Sequence, residues 1–555
     1  MQARRLRYKM NSKTCELTGS TAYPRWAPAL GAWELPLQAM AFVAVSNLVF
    51  MRVLFAFFLS DDFGMIARVV EDPLAFTWGE THGGFLRPLA VLSFGLDHAL
   101  WGLDPVGYHL TNAALHGLCA FLASVLSWEM LRTFVDDARH RRRLATLTGI
   151  VFLVLPCHSE SVAWISGRTD LLATVFGLGS ALSFLAYLRT PRFAQAILCW
   201  TLFSLALLSK ESVLTLPLLF LLLAVASPTP SQSKRSIAMG LGGCVAVLAG
   251  YLMARHVALG TIIGGYGAHG HLAIDLPGIA DRLVRHTWRA VAPPIGFDAG
   301  PYVQAHWKWV LLVLAVCGGA LCAVGVVHKP VRKSVLPVGL ALACYLVMLI
   351  PVFTLSVSTV STQGERFLYL PSLFAAWGLV VAIAGLTTPA RARIVLVVVY
   401  ALASGLFLLR QVETWRSAGA LSERIAKQVS EHTAASDAKS VVLNVPADLG
   451  GAYVFQNGLP EAVSLLSPVP FRQAPEVASA HGVQSESEAV NVTWNAENRE
   501  VDVTLTDPRS NFVRLFDGTG QGPARVREDG YSFRLEREGD ALFYYSAGEV
   551  LKWLP

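Results

Sequence analysis

The sequence predicts a polytopic α-helical membrane protein with about 11 spanning helices, followed by a C-terminal α/β to β-rich soluble domain. Three observations predict it. The 555 residues are 54% hydrophobic and only 15% charged, with a mean hydropathy of +0.48. The apolar residues fall in long runs, and a bilayer-crossing helix needs about 20 such residues. After Trp415 these runs stop, and a polar chain with period-two alternation takes over.

The apolar runs lie near 37–59, 107–131, 145–157, 170–188, 193–209, 213–226, 237–256, 307–327, 335–355, 367–386 and 394–411. Those at 145–157 and 213–226 are short for a span. Orientation follows from the excess of Lys and Arg in cytoplasmic loops. The N-terminal tail, residues 1–36, carries Arg4, Arg5, Arg7 and Lys9, and reads as a retained cytoplasmic anchor with no cleavage site. Counting from there, every inner loop is basic: Arg139/Arg141/Arg142/Arg143, Arg189/Arg192, Lys234/Arg235, Lys329/Arg332/Lys333 and Arg391/Arg393. The net charge of +6 therefore speaks of membrane orientation and not of nucleic acid. Arg52 falls inside the first run and requires a partner, a snorkelling path or a different span boundary.

Residues 37–411 form the multi-spanning domain on this reading, with two long outer loops, 61–106 and 257–306. Loops of that length in a compact bundle are usually functional. Asp61–Val70 reads as a surface helix with Met65, Ile66, Val69 and Val70 on its apolar face, and Trp78 and Trp101 suit the interface. An odd number of spans places residues 412–555 outside. There Ser417–Ser436 is helical in pattern and Leu459–Leu466 is an apolar stretch. Strands are expected at Ser440–Val445, Val490–Trp494, Val501–Leu505, Phe512–Phe516, Tyr531–Leu535 and Ala541–Tyr545. All eight cysteines precede this domain, so no disulfide framework holds it. Nothing in it supplies a recognisable active site.

The polar residues of the apolar half gather at one set of run ends. Asp61 and Asp62 follow the first run. His158, Glu160, Arg168 and Asp170 lie in Pro156–Asp170, and Lys210-Glu211 and Glu365-Arg366, with Tyr369, lie at further outer ends. Acids there can activate an acceptor, while Lys and Arg can hold a phosphate. Each group also has a plainer reading. Adjacent acids cap the helix that follows them, Arg168 with Asp170 and Lys210 with Glu211 can be self-compensating pairs, and Arg366 with Tyr369 can anchor at the interface. His269-Gly270-His271 has two imidazoles with no third ligand nearby, so no metal site is assigned. Asn491-Val492-Thr493 matches a glycosylation acceptor, a short pattern of low specificity.

At these residues the chain resembles the C-type (GT-C) membrane glycosyltransferases that use a polyprenyl-phosphate-linked sugar. It is most similar to the transmembrane TPR-containing protein O-mannosyltransferases and their bacterial relatives. The resemblance rests on Ser60-Asp61-Asp62-Phe63, Phe85-Leu86-Arg87-Pro88-Leu89, Leu103–Asn112, Pro156–Asp170, Ser209-Lys210-Glu211 and Glu365–Pro371, in order across 37–411. It implies a GT-C-like bundle that moves one sugar, with inversion, from the lipid carrier to a hydroxyl of a protein, lipid or glycan. Asp61 or Asp62 would be the general base. Arg87, Lys210, Arg366 and Tyr369 would bind the donor phosphate, and His158, Glu160, Arg168, Asp170, Glu211 and Glu365 would orient the sugar or the base. No cofactor is read from the motifs, and assistance by a divalent cation is left open. The expected setting is a bacterial inner membrane with a periplasmic tail. No TPR array follows the bundle, so acceptor recognition of that kind is in question. Two other classes compete: a transporter or flippase of lipid-linked saccharides, and a non-catalytic scaffold displaying the C-terminal domain. The one-sided clustering argues against transport, which uses polar groups near the midplane.

Overall fold

The computed structural model describes residues 34–71, 84–228, 232–262, 275–296, 298–313, 316, 329–386, 389–434, 440–467, 475–495, 497, 500–507, 509–515, 525–527, 530–534 and 541–553. The basic N-terminal tail, Trp78, the His269-Gly270-His271 loop and most of the 307–327 run lie outside them.

The membrane half is helical. Its principal helices are Glu34–Val49, Pro105–Met130, Ala138–Leu153, Arg168–Arg189, Phe193–Ser209, Leu216–Ala226, Lys234–Leu259, Lys329–Leu349, Tyr369–Ala384 and Ala390–Ala434. Among the described residues six helices are long and apolar enough to cross a membrane, or seven if Ala138–Leu153 and Pro156–Ala163, bent by 60°, form one span. Three more apolar helices, Glu34–Val49, Phe193–Ser209 and Glu211–Ala226, are shorter. The described residues therefore do not confirm a count of about eleven. Apolar length in the sequence counts residues that the fold spends in turns at helix ends. The first run shows it: the helix stops at Val49, turns follow, and Arg52 lies beyond it, 3.2 Å from Glu413.

Local chemistry explains several starts. Pro105 stands at the first position of its helix, and the Asp104 carboxylate accepts from Val106 N–H at 3.0 Å. Asp137 caps Ala138–Leu153 through the N–H groups of Arg139 and His140. The amphipathic helix Asp61–Glu71 packs on Pro88–Trp101, which is apolar on all sides and packs in turn on Pro105–Met130. The helix Ala390–Ala434 runs 45 residues, out of the apolar half and into contact with the strand-rich region.

Among the described residues that region has twelve strands in three four-stranded sheets. They are β1 (Ser440–Val442), β2 (Val445–Leu449), β3 (Ala452–Tyr453), β4 (Glu476–Val477), β5 (Ser479–Val483), β6 (Val490–Asn495), β7 (Glu500–Leu505), β8 (Phe512–Leu515), β9 (Arg525–Val526), β10 (Gly530–Arg534), β11 (Ala541–Ser546) and β12 (Glu549–Trp553). The orders are β12-β11-β1-β4, β6-β7-β10-β9 and β3-β2-β5-β8. β7 buries alternate residues, with Val501 and Val503 packed against Tyr531. The first strands are not a separate piece preceding the rest. β1 lies parallel to β11 and β4, and β2 parallel to β5. Parallel partners need long crossovers, which local alternation does not reveal.

One buried cation locks the helices around the first outer segment. Arg168 is fully buried and pairs with Asp97 at 2.6 Å. It also donates to Asn112 Oδ1, Tyr108 O and Ser93 O, at 3.1, 3.1 and 3.2 Å. Removing one member of a buried pair leaves an uncompensated charge and costs about 3–5 kcal/mol. Asp97→Ala should therefore lower the thermal unfolding temperature of the detergent-solubilised protein. Asp97→Leu combined with Arg168→Met should recover most of that loss; an Asp97→Ala protein as stable as the parent would contradict the role given to the pair.

Candidate active site

Five stretches of chain meet around one cavity of about 100 Å³. Asp61, Met65, Phe85, Arg87, Phe94, Trp164, Ser166, Lys210 and Arg366 are among its lining residues. Asp61 stands in the first turn of Asp61–Glu71, and Arg87 just before Pro88–Trp101. Lys210 follows Phe193–Ser209, and Arg366 belongs to the tight turn that opens Tyr369–Ala384. Trp164 and Ser166 lie in the short turn before Arg168–Arg189. The charged contributions, Asp61, Arg87, Lys210 and Arg366, come from helix ends and the turns beside them, while Met65 and Phe94 project from within their helices.

Each of the three cations is held by an acid. Arg87 grips Glu211 through two bonds, of 3.1 and 2.5 Å, and its guanidinium lies over the Phe85 ring at 3.9 Å. Lys210 Nζ bonds both oxygens of Asp170, at 2.7 and 2.6 Å. Arg366 pairs with Glu160, donates to the Tyr453 hydroxyl at 2.7 Å, and lies over the Trp164 ring at 5.1 Å. The side chains of Arg87 and Arg366 keep 14% and 18% of their surface exposed, against 2% for Lys210. A ligand in the cavity would therefore meet the two guanidinium groups first.

The adjacent acids have different surroundings. Asp61 lines the cavity, and Asn457 Nδ2 donates to its Oδ1 at 2.9 Å. Asp62 is buried and saturated: Oδ2 accepts from Leu59 N–H at 3.0 Å, and Oδ1 from Ser166 N–H and Oγ–H at 2.8 and 2.5 Å. Burial pushes the Asp62 carboxyl up to about 7, against these hydrogen bonds, which favour the anion. Asp62 thus ties the start of its helix to the turn that carries Ser166.

The remaining residues singled out in the sequence lie around this centre, not in it. Glu160, Asp170 and Glu211 are the acids behind the cations. Glu365 accepts from Ser159 Oγ and Gln411 Nε2, both at 2.8 Å, and pairs with Arg289. Arg168 is occupied with Asp97. His158 and Tyr369 are buried beside one another, ring centroids 4.6 Å apart. Ser372 Oγ donates to Tyr369 O, so His158 Nε2 is the donor in its 2.9 Å bond to Ser372. Tyr369 OH lies 2.7 Å from His116 Nδ1. Neither reaches the cavity. Among the described residues, no group of three or more His, Cys, Asp or Glu is placed to hold a metal ion.

Sequence reasoning missed Ser166, Trp164, Tyr453 and Asn457. The first two sit inside a stretch already conspicuous for its polar residues, whereas Tyr453 and Asn457 carry no such signal. They lie in the strand-rich region, where Asn457-Gly458 reads as an ordinary turn.

No family model matches the chain. It is 33% identical over 185 residues to Protein O-mannosyl-transferase Tmtc1 of Drosophila melanogaster, covering 33% of this chain and 20% of that protein. It is 35% identical over 134 residues to Protein O-mannosyl-transferase TMTC2 of Homo sapiens, covering 22% of this chain and 15% of that protein. The chain resembles protein O-mannosyltransferases. It matches a fifth or less of the length of these two curated relatives. Among solved structures, ArnT from Cupriavidus metallidurans bound to undecaprenyl phosphate aligns with a TM-score of 0.42 and 16% identity, over 78% of this chain and 85% of that one.

The state of Asp62 has a consequence for stability. A carboxyl raised from 3.8 to about 7 holds its proton more tightly in the folded protein than in the unfolded chain. Its contribution is complete below pH about 4 and is lost as pH rises through about 7. Thermal unfolding should show a fall in stability across that window, and Asp62→Asn should flatten it. An identical pH slope in parent and variant would rule out an elevated carboxyl at this position.

Proposed function

We propose that the protein is a membrane glycosyltransferase that moves one sugar from a polyprenyl-phosphate carrier to an acceptor hydroxyl. The observation that carries the proposal is the cavity itself, with one carboxylate, Asp61, facing Arg87, Lys210 and Arg366. Similarity to O-mannosyltransferases supports the reaction class and suggests a protein hydroxyl as acceptor.

In this reading Asp61 is the base, because Asp62 is enclosed and its oxygens already accept bonds from Leu59 and Ser166. Asp61 takes the proton of the acceptor hydroxyl as that oxygen attacks the anomeric carbon. The bond from that carbon to the phosphate oxygen breaks, and its electron pair leaves with the polyprenyl phosphate. Attack opposite the leaving group inverts the anomeric centre. Arg87, Lys210 and Arg366 stabilise the charge that grows on the phosphate, a task suited to donors already fixed in place. Phe85, Phe94 and Trp164 supply apolar walls against which a sugar ring packs. The basic loops at the opposite helix ends orient the cavity away from the cytoplasm, so residues 412–555 stand outside as well.

Membranes containing the parent, Asp61→Asn or Asp62→Asn protein, supplied with radiolabelled polyprenyl-phosphate sugar, test the assignment. Loss of a general base costs roughly 10²–10⁴-fold in rate. Asp61→Asn should lose transfer by that factor at a normal protein level, and Asp62→Asn by less. Parent-like transfer by Asp61→Asn would remove the base from this scheme.

A further inference from the structure

The loop between β3 and the helix Leu459–Leu466 closes on the start of Asp61–Glu71. Asn457 Nδ2 donates to Asp61 Oδ1 at 2.9 Å, across 396 residues of sequence. The Asn457 N–H donates to Ser60 Oγ at 3.2 Å, and the Ser60 N–H donates to Val454 O at 2.9 Å. The rings of Phe63 and Phe455 stack with centroids 5.7 Å apart. Ser60 is held at φ +46°, in the left-handed region that serine seldom occupies. Gly458, at φ +86°, allows the approach: a Cβ there would stand 2.3 Å from Ser60 O. The backbone immediately before Asp61 is therefore set by contacts from the strand-rich region.

We propose that Asn457 is a positioning residue for Asp61, which makes the strand-rich region a working part of the cavity and not an appended module. Among the described residues, Asp61 is the one carboxylate lining the cavity, and its side-chain hydrogen bond is to an amide, not to a cation. A neutral amide orients a carboxylate without placing a charge beside it. A second tie acts at the same place: Tyr453 OH donates to Glu160 Oε1 at 2.9 Å and accepts from Arg366. The same short stretch thus touches both the acid and one cation of the cavity.

The inference rests on the reading of Asp61 as the acceptor base, and its test separates the two. Full-length parent, Asn457→Asp and Asn457→Ala proteins are labelled with a hydrophobic carbodiimide across a pH series. Labelling of Asp61 is followed by peptide mass spectrometry, and sugar transfer from polyprenyl-phosphate donor is measured on the same preparations. Asn457→Asp is nearly isosteric, so the fold is retained, and two carboxylates then share one proton at hydrogen-bond distance. Labelling of Asp61 should persist to a pH about one unit higher or more. The pH dependence of transfer should move with it, while KM for the donor changes little. Asn457→Ala should lower kcat about tenfold through misorientation alone. Parent-like pH dependence of Asp61 labelling in Asn457→Asp would overturn the positioning role, whatever happens to transfer. A shifted labelling curve with unchanged transfer would uphold the positioning and remove Asp61 as the base.

Discussion

A charge carried into an apolar helical bundle must bring its partner with it. The desolvation cost of a lone ammonium or guanidinium amounts to several kcal/mol, more than most single contacts return. This constraint organises the whole site. Glu211 holds Arg87, Asp170 holds Lys210 and Glu160 holds Arg366, each acid standing behind its cation. Such pairs contribute little to net stability, and their value here is directional. An anion in the cavity lies nearer to the cation than to the acid, so each pair presents its positive end. The guanidinium groups, held by two bonds or stacked on aromatic rings, have little freedom to turn away.

The same bookkeeping explains why the helical half and the strand-rich region cannot be treated as independent. The helix Ala390–Ala434 carries Gln411 to Glu365 and brings Trp415 Nε1 within 3.3 Å of Ser159 Oγ. Further along, Ser422 Oγ donates to Phe58 O, and Gln428 accepts from Val550 N–H in β12. Gly419 lies so close to Phe57 that a Cβ would stand 2.8 Å from its backbone nitrogen. One continuous helix therefore packs on the segment leading to Asp61 and on the last strand of the chain. The strand-rich region and the segment leading to the acidic pair are thus seated on one helix.

Much of the site was legible because its residues break an apolar pattern. Asp61, Lys210 and Arg366 stand where runs end, and charge at such a place needs a reason; Arg87, inside the first outer loop, was marked only by the family resemblance. The partners of these residues were not legible. Arg168 with Asp170 and Lys210 with Glu211 looked like neighbours in sequence, yet the fold exchanges them. Arg168 takes Asp97, Lys210 takes Asp170, and Glu211 takes Arg87. Adjacent residues at a helix end point in different directions, so pairing follows which helices pack together. His158 and Tyr369 sit at the same run ends but turn inward, into a cluster with His116 and Phe152.

By itself the sequence determined the class of molecule, since long apolar runs can satisfy their backbone in a bilayer only as helices. It also determined which charges demand explanation, and that alternating strands follow the bundle. Tertiary structure alone decided which of the described helices are long enough to span and which of two adjacent acids faces the cavity. It also decided that Asn457 and Tyr453 belong to the site. These depend on turns, rotations and crossovers that bring together residues hundreds of positions apart. No local period or spacing records such distances.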